Sequence, residues 1–209
     1  VAFAIIRKEE INEGFLVTGL IFPLILPPGL PLWMVGAGIA SGVFFGKELF
    51  GGTGRNLFNP ALVGRCFLAL GYPVAMTSGW IAPANGTAGR LFQFVGPAHH
   101  DALAAATPLI GAKQGELADL AALFSGRVAG CASETSAALI IAGGLFLLLT
   151  RVANWRTVAG LLLAAVLLQA GLHMHNPQTF APALWHLFAG GLLLGAFFMA
   201  TDPVISPAT

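Results

Sequence analysis

The chain is a succession of apolar runs, several of them too short or interrupted by Gly and Pro for a straight membrane crossing. In order they cover residues 11–26, 32–45, 61–70, 135–150, 158–172 and 183–200. Pro27-Pro28-Gly29-Leu30-Pro31 closes the first, and Pro60 and Pro73 bound the third. A straight apolar helix needs ~20 residues to cross a bilayer. Backbone broken at membrane depth survives only where protein buries it or where it lines a cavity. The pattern therefore predicts an all-α, polytopic membrane helical bundle with short or broken helices, and a binding site at the breaks. Residues 72–134 are mixed in polarity and predict loops with short helices.

Composition removes the alternatives. Only 9% of the 209 residues are charged and 56% are hydrophobic. A soluble domain carries about 25% charged residues, so a water-soluble globule cannot clothe itself here. A net charge of +1 excludes a general nucleic-acid binder, which needs a basic face. Two cysteines, Cys66 and Cys131, cannot build a disulfide framework or a four-ligand zinc site. Cys66 sits in an apolar run and is expected to be a buried small hydrophobe. The chain opens at Val1 inside an apolar stretch and ends after a Pro-rich turn. We expect one membrane domain over 1–209, part of a longer protein.

Lys and Arg placement orients such a chain. With alternating spans, Arg7, Lys8, Lys47, Arg55, Arg151 and Arg156 fall on one side. The connections 27–31 and 173–182 fall opposite and carry no Lys or Arg. The basic side is therefore read as cytoplasmic, and the segment 72–134 as outer. Arg90, Lys113 and Arg127 in that segment count little, because long loops escape the rule. A short internal echo also runs through the chain. Trp33 opens a run that leads to Gly46-Lys47-Glu48 and Asn59-Pro60-Ala61, and Trp185 opens one that leads to Gly195-Ala196-Phe197 and Thr201-Asp202-Pro203. Paired broken segments of this kind suggest two pseudo-repeated halves around a shared site.

Four clusters could carry chemistry. In Phe50-Gly51-Gly52-Thr53-Gly54-Arg55-Asn56-Leu57-Phe58-Asn59-Pro60 the glycines allow tight turns or a close approach of backbone to a ligand. It is not a P-loop, because Gly-Lys-Ser/Thr is absent. The amides of Asn56 and Asn59 can both donate and accept, which suits the edge of a flat heterocycle. Spacing alone favours the simpler role for Asn59-Pro60, a helix cap. His99-His100-Asp101 leads to Ala106-Thr107-Pro108, which by itself reads as an ordinary small-residue turn. Ser133-Glu134-Thr135-Ser136 reads as a helix cap with Glu near the positive end. Asp202, at the cytoplasmic end of the last run, is either a near-membrane ion ligand or a turn aspartate before Pro203. His173, His175 and His186 lie at outer ends of spans and read as polar anchors.

The longer motifs carry a resemblance. Lys8-Glu9-Glu10-Ile11-Asn12-Glu13-Gly14-Phe15, Phe50-Gly51-Gly52-Thr53-Gly54-Arg55-Asn56-Leu57-Phe58-Asn59-Pro60-Ala61-Leu62 and Phe197-Phe198-Met199-Ala200-Thr201-Asp202-Pro203-Val204 resemble the family of the B subunit of the Na⁺-translocating NADH:quinone reductase. That family includes the D subunit of the Rnf ferredoxin:NAD⁺ complex. Asn12-Glu13-Gly14-Phe15, the stretch from Leu26 to Trp33, and Arg151-Val152-Ala153-Asn154-Trp155-Arg156 look more like the quinone reductase, and Thr107-Pro108-Leu109 a little more like the Rnf form. The first branch is preferred.

The resemblance implies a multi-pass protein of the bacterial cytoplasmic membrane that holds two flavins. One is FMN, joined by a phosphoester to a threonine outside the membrane by a flavin transferase. Asp101 and Ala106 match the motif around it, which makes Thr107 the implied acceptor. Ala104-Ala105 departs from the family's usual Ser/Thr-Gly there. The second flavin is non-covalent riboflavin, near Gly54, Arg55, Asn56 and Asn59, and for these residues the resemblance overrides the capping role as the preferred one. Electrons would pass from a partner subunit's flavin to FMN, to riboflavin and to quinone. The whole complex would export Na⁺, with Asp202 weakly implied in its path. Part of the quinone site would precede Val1. A reading from a different class is a passive channel or transporter for a small polar solute, which broken helices without catalytic clusters would also suit.

Overall fold

The computed structural model describes residues 14–52, 54–80, 107–113, 115–202 and 204–206. Among them every regular element is helical. Helix α1 is Gly14–Leu24, α2 Leu32–Gly46, α3 Pro60–Gly71 and α4 Pro73–Ser78. Beyond them lie α5 Pro108–Lys113, α6 Leu120–Ser125, α7 Ala137–Leu149 and α8 Trp155–His175. The last are α9 Ala183–Phe188 and α10 Leu192–Leu194, which runs into a π-helical turn, Gly195–Met199.

Local chemistry sets the boundaries. Pro31 is extended (φ −59°, ψ 139°) and α2 begins directly after it. Side-chain oxygens cap three other starts. Asn59 accepts from the Ala61 N–H, Ser136 from Leu139 and Asn154 from Arg156. Each satisfies an N–H that has no partner within its helix. The expected runs thus become helices with shifted ends. The last, 183–200, breaks at Gly190, whose φ of 71° a side chain would strain.

Among the described residues only α8, at 21 residues, is long and apolar enough to cross a membrane by itself. The 15 residues of α2 rise about 22 Å at the α-helical pitch, short of the ~30 Å hydrocarbon core. Large apolar side chains face outward. Leu32 is 87% exposed, Leu149 82% and Met174 83%, while glycine and alanine fill many of the contacts. This inverts the soluble-protein pattern and suits lipid as the outer medium. It also corrects the expectation for Cys66, which is exposed on α3, whereas Cys131 is buried. Apolar neighbours in sequence do not imply burial when the surroundings are themselves apolar.

By contacts the chain forms two compact units. Val1–Leu26, Leu30–Met76 and Asp202–Thr209 make one, and Pro27–Gly29 and Thr77–Thr201 the other. In the first, α2 lies against α3 backbone to backbone. A Cβ on Gly42 would stand 2.8 Å from the Gly64 nitrogen and collide with the Pro60 carbonyl oxygen. A Cβ on Gly64 would stand 2.6 Å from the Gly38 carbonyl oxygen. The Phe22 ring of α1 closes over the Gly38–Gly64 contact.

In the second unit Ala137, Ile140, Val158, Leu193, Ala196 and Phe197 form one core. There the Phe197 ring lies against Gly144 so closely that no Cβ fits. Leu123, Trp185 and Ala189 form a second cluster, and the Trp185 Nε1–H donates to the Ala118 carbonyl at 2.9 Å. The loop after α8 folds back on it, with Gln169 Nε2 donating to the Ala181 carbonyl at 2.9 Å. The two echoed segments differ in detail. Trp33 is exposed on an unbroken α2, edge-on to Tyr72 at 5.6 Å, whereas Trp185 is buried in the short α9.

Replacing Gly144 by Ala should destabilise the protein by about 1–3 kcal/mol, because Phe197 must leave its seat. Gly160→Ala on α8, with no atom within 4 Å of its Cβ position, should be neutral or stabilising by up to about 1 kcal/mol. Thermal unfolding in detergent micelles checks both.

Candidate functional site

The Gly-rich motif forms the connection between α2 and α3. A single 3₁₀ turn, Glu48–Phe50, follows α2. The chain then reverses through left-handed backbone at Gly51 (φ 107°), Gly52 (φ 96°) and Gly54 (φ 85°). The Lys47 carbonyl accepts from both Phe50 (3.2 Å) and Gly52 (3.1 Å) N–H groups, which closes the turn. The Arg55 side chain runs over Gly51, with its Cδ 3.2 Å from where a Cβ would stand. Glycine at position 51 is thus required by conformation, while the Arg55 side chain packs over the open face it leaves.

Asn56 and Asn59 end the connection. Asn56 is 9% exposed, while the adjacent Leu57 and Phe58 are 61% and 60% exposed. The polar side chain is turned in and the apolar ones out. The Asn56 Nδ2 donates to the Phe58 carbonyl at 3.3 Å, and the Asn59 Oδ1 accepts from the Ala61 N–H at 2.9 Å. The capping role read from spacing is therefore real. Each amide still retains hydrogen-bonding capacity, since an Asn amide offers two donors and two lone pairs.

Thr107 belongs to the other unit. Its carbonyl accepts from Ile110 (2.9 Å) and Gly111 (3.0 Å) N–H groups, so it stands at the N-cap of α5 with Pro108 at the first helical position. The residue is half-buried. Leu109 of α5 reaches Gly190 at the break of the last run, 2.9 Å from its Cβ position. Asp101 and Ala106 lie outside the described residues, as does the motif at 8–13.

The Ser133-Glu134-Thr135-Ser136 cluster caps α7 through Ser136, and Glu134 accepts from the buried Cys131 thiol at 3.3 Å. At the end of the last run, the π-turn bonds the Ala200 N–H to the Gly195 carbonyl at 2.8 Å, and the buried Thr201 hydroxyl donates to the Phe197 carbonyl at 2.6 Å. Asp202 comes next. Its Oδ1 accepts from the Val204 N–H at 3.0 Å, and its carbonyl accepts from Ser206 at 2.7 Å. Of its two sequence-derived roles, the turn aspartate is the one visible in these bonds. Sequence reasoning misses the stripe Gly38, Gly42 and Gly46. Its signal is glycine at every fourth residue, the spacing that lets membrane helices approach closely.

Short, broken helices with outward apolar faces define a helical membrane protein. The whole chain, residues 1–209, matches the model of the NQR2, RnfD, RnfE family. It belongs to that family. It is 45% identical over 220 residues to the B subunit of the Na(+)-translocating NADH-quinone reductase of Ectopseudomonas mendocina (strain ymp), a match covering 100% of this chain and 51% of that protein. The B subunit of Azotobacter vinelandii (strain DJ / ATCC BAA-1303) is 45% identical over 214 residues, and that of Klebsiella pneumoniae (strain 342) 41% over 215, with the same two coverages. The chain spans about half the length of these curated relatives.

The cap at Asn59 can be tested apart from any ligand. Asn59→Ala should cost about 1 kcal/mol of stability, while Asn59→Asp, which keeps an acceptor for the Ala61 N–H, should cost far less. Thermal unfolding of the flavin-free protein separates the two.

Proposed function

We propose that the chain is the flavin-bearing membrane part of the B subunit of a Na⁺-translocating NADH:quinone reductase. What supports this reading above all is 45% identity along the full chain to proteins of that name. Thr107 is the acceptor for FMN, and Asp101 and Ala106 belong to the motif the transferase reads. The position of Thr107 suits this role, because the N-cap of α5 holds its Cβ at a fixed point on a helix end. The loop at Gly54, Arg55, Asn56 and Asn59 binds riboflavin. Two features favour it: left-handed glycine backbone without Cβ atoms, and two amides with unused donors and acceptors.

When bound, the two flavins supply the redox chemistry that carries electrons toward quinone. The residues of this chain hold and orient them. Other subunits deliver the electrons, and coupling to Na⁺ export needs two states of the complex with different ion affinity. Asp202, just after the π-turn in sequence, is the candidate of this chain for the ion path. The segment 72–134 with Thr107 faces the outer side, within reach of the transferase. The relatives named above carry the quinone reductase name, which favours that branch over the Rnf complex.

Co-expression with a flavin transferase should give a band that fluoresces on a denaturing gel. Thr107→Ala should abolish that fluorescence and leave bound riboflavin unchanged. A dark wild-type band would sink the assignment of Thr107. Asn56→Ala should remove riboflavin and leave the fluorescent band, and full riboflavin retention in that variant would refute the second assignment.

A further inference from the structure

We propose that Gly42 is a positioning residue for the riboflavin loop, acting through the Pro60 backbone on Asn59 and Asn56. The inference rests on the riboflavin assignment just made and adds to it the residue that sets the geometry of the loop. The loop is suspended between the C-terminal end of α2 and the N-terminal end of α3. The distance between those ends is set where the two helices touch. At that point the contact is backbone on backbone: the Cβ position of Gly42 meets the Pro60 carbonyl oxygen, the Gly64 nitrogen at 2.8 Å and the Gly64 Cα at 2.9 Å. No rotamer change can relieve such a contact, so a methyl group at 42 must push α3 away.

Asn59 moves with it. Its Oδ1 is tied to the Ala61 N–H and its peptide bond to Pro60. Asn56 is tied in turn to the Phe58 carbonyl. A displacement at Pro60 thus reaches both amides through short covalent and hydrogen-bonded links. Gly46, one turn further along α2, faces the Pro60 Cα at a looser 3.1 Å. Gly36, on the same helix, has no atom within 4 Å of its Cβ position. The three positions form a graded series on one helix. A misplacement of about 1 Å can cost two orders of magnitude at a positioned site.

The test uses the complete membrane complex carrying Gly36→Ala, Gly46→Ala or Gly42→Ala. Riboflavin released by denaturation is quantified by chromatography, and covalent FMN on the same chain by gel fluorescence. Thr107 belongs to the other compact unit, so its FMN reports that the chain is inserted and that unit folded, and thermal unfolding of the same variants reports the unit of α2 and α3. We expect wild-type riboflavin in Gly36→Ala, a several-fold loss in Gly46→Ala and at least about a tenfold loss in Gly42→Ala, with covalent FMN retained throughout. Wild-type riboflavin in Gly42→Ala, or parallel loss of both flavins in Gly46→Ala, overturns the proposal. If Gly42→Ala yields no complex, Gly46→Ala decides, and full riboflavin there overturns it. Asn56→Ala separates the two levels. Riboflavin kept in that variant refutes the site itself, whereas riboflavin lost there but kept in Gly42→Ala refutes only the positioning role.

Discussion

The contact of Gly42 with the Pro60 carbonyl is the constraint on which the first unit depends. Inside a bilayer, burying a leucine against a leucine gains little, because lipid tails are equally apolar. Close approach of backbones is what remains, and only glycine permits it. Gly38 and Gly64 extend the contact, and Phe22 of α1 seals it with a ring wholly removed from solvent. The large side chains of α2 and α3 are then free to face outward, as Leu32 and Leu70 do. The second unit repeats the logic with a different partner, since Gly144 receives the face of Phe197.

That geometry has a chemical corollary. A connection anchored at both ends by touching helices cannot drift, so its polar groups keep fixed positions without a large hydrophobic core beneath them. The left-handed turns at Gly51, Gly52 and Gly54 fold the connection tightly, and Asn56 is carried inward while Leu57 and Phe58 stay out. A site held by rigid elements is more precise than one on a loose loop.

Much of this is legible in the sequence, and the rest is hidden for identifiable reasons. Helix positions can be read because their signals are local: Asn59-Pro60 and the Ser133-Glu134-Thr135-Ser136 cluster cap where the sequence puts a cap, and Pro31 stops one segment before the next begins. Burial cannot be read in the same way. The apolar neighbours of Cys66 point to the interior, yet an apolar solvent removes the link between hydrophobicity and burial. The stripe at 38, 42 and 46 is visible as spacing, but glycine in a chain with 27 of them reads as easily as turn or flexibility. Asn59 shows its cap through spacing, whereas the proposal that it holds a flavin comes only through resemblance. A flat cofactor leaves no periodicity in the residues that grip it.

The π-turn at Gly195–Met199 has a consequence for the register of the chain beyond it. A π-turn holds one residue more than an α-turn, and one residue is worth about 100° of rotation around a helix axis. Ala200 and Thr201 are therefore turned by roughly a quarter of a circle from where an unbroken α-helix would aim them. The Thr201 hydroxyl fastens that rotation by bonding back to Phe197, the residue already seated on Gly144. Losing one residue from this turn would leave the hydropathy of the segment almost unchanged, yet it would swing the Thr201 hydroxyl away from the Phe197 carbonyl.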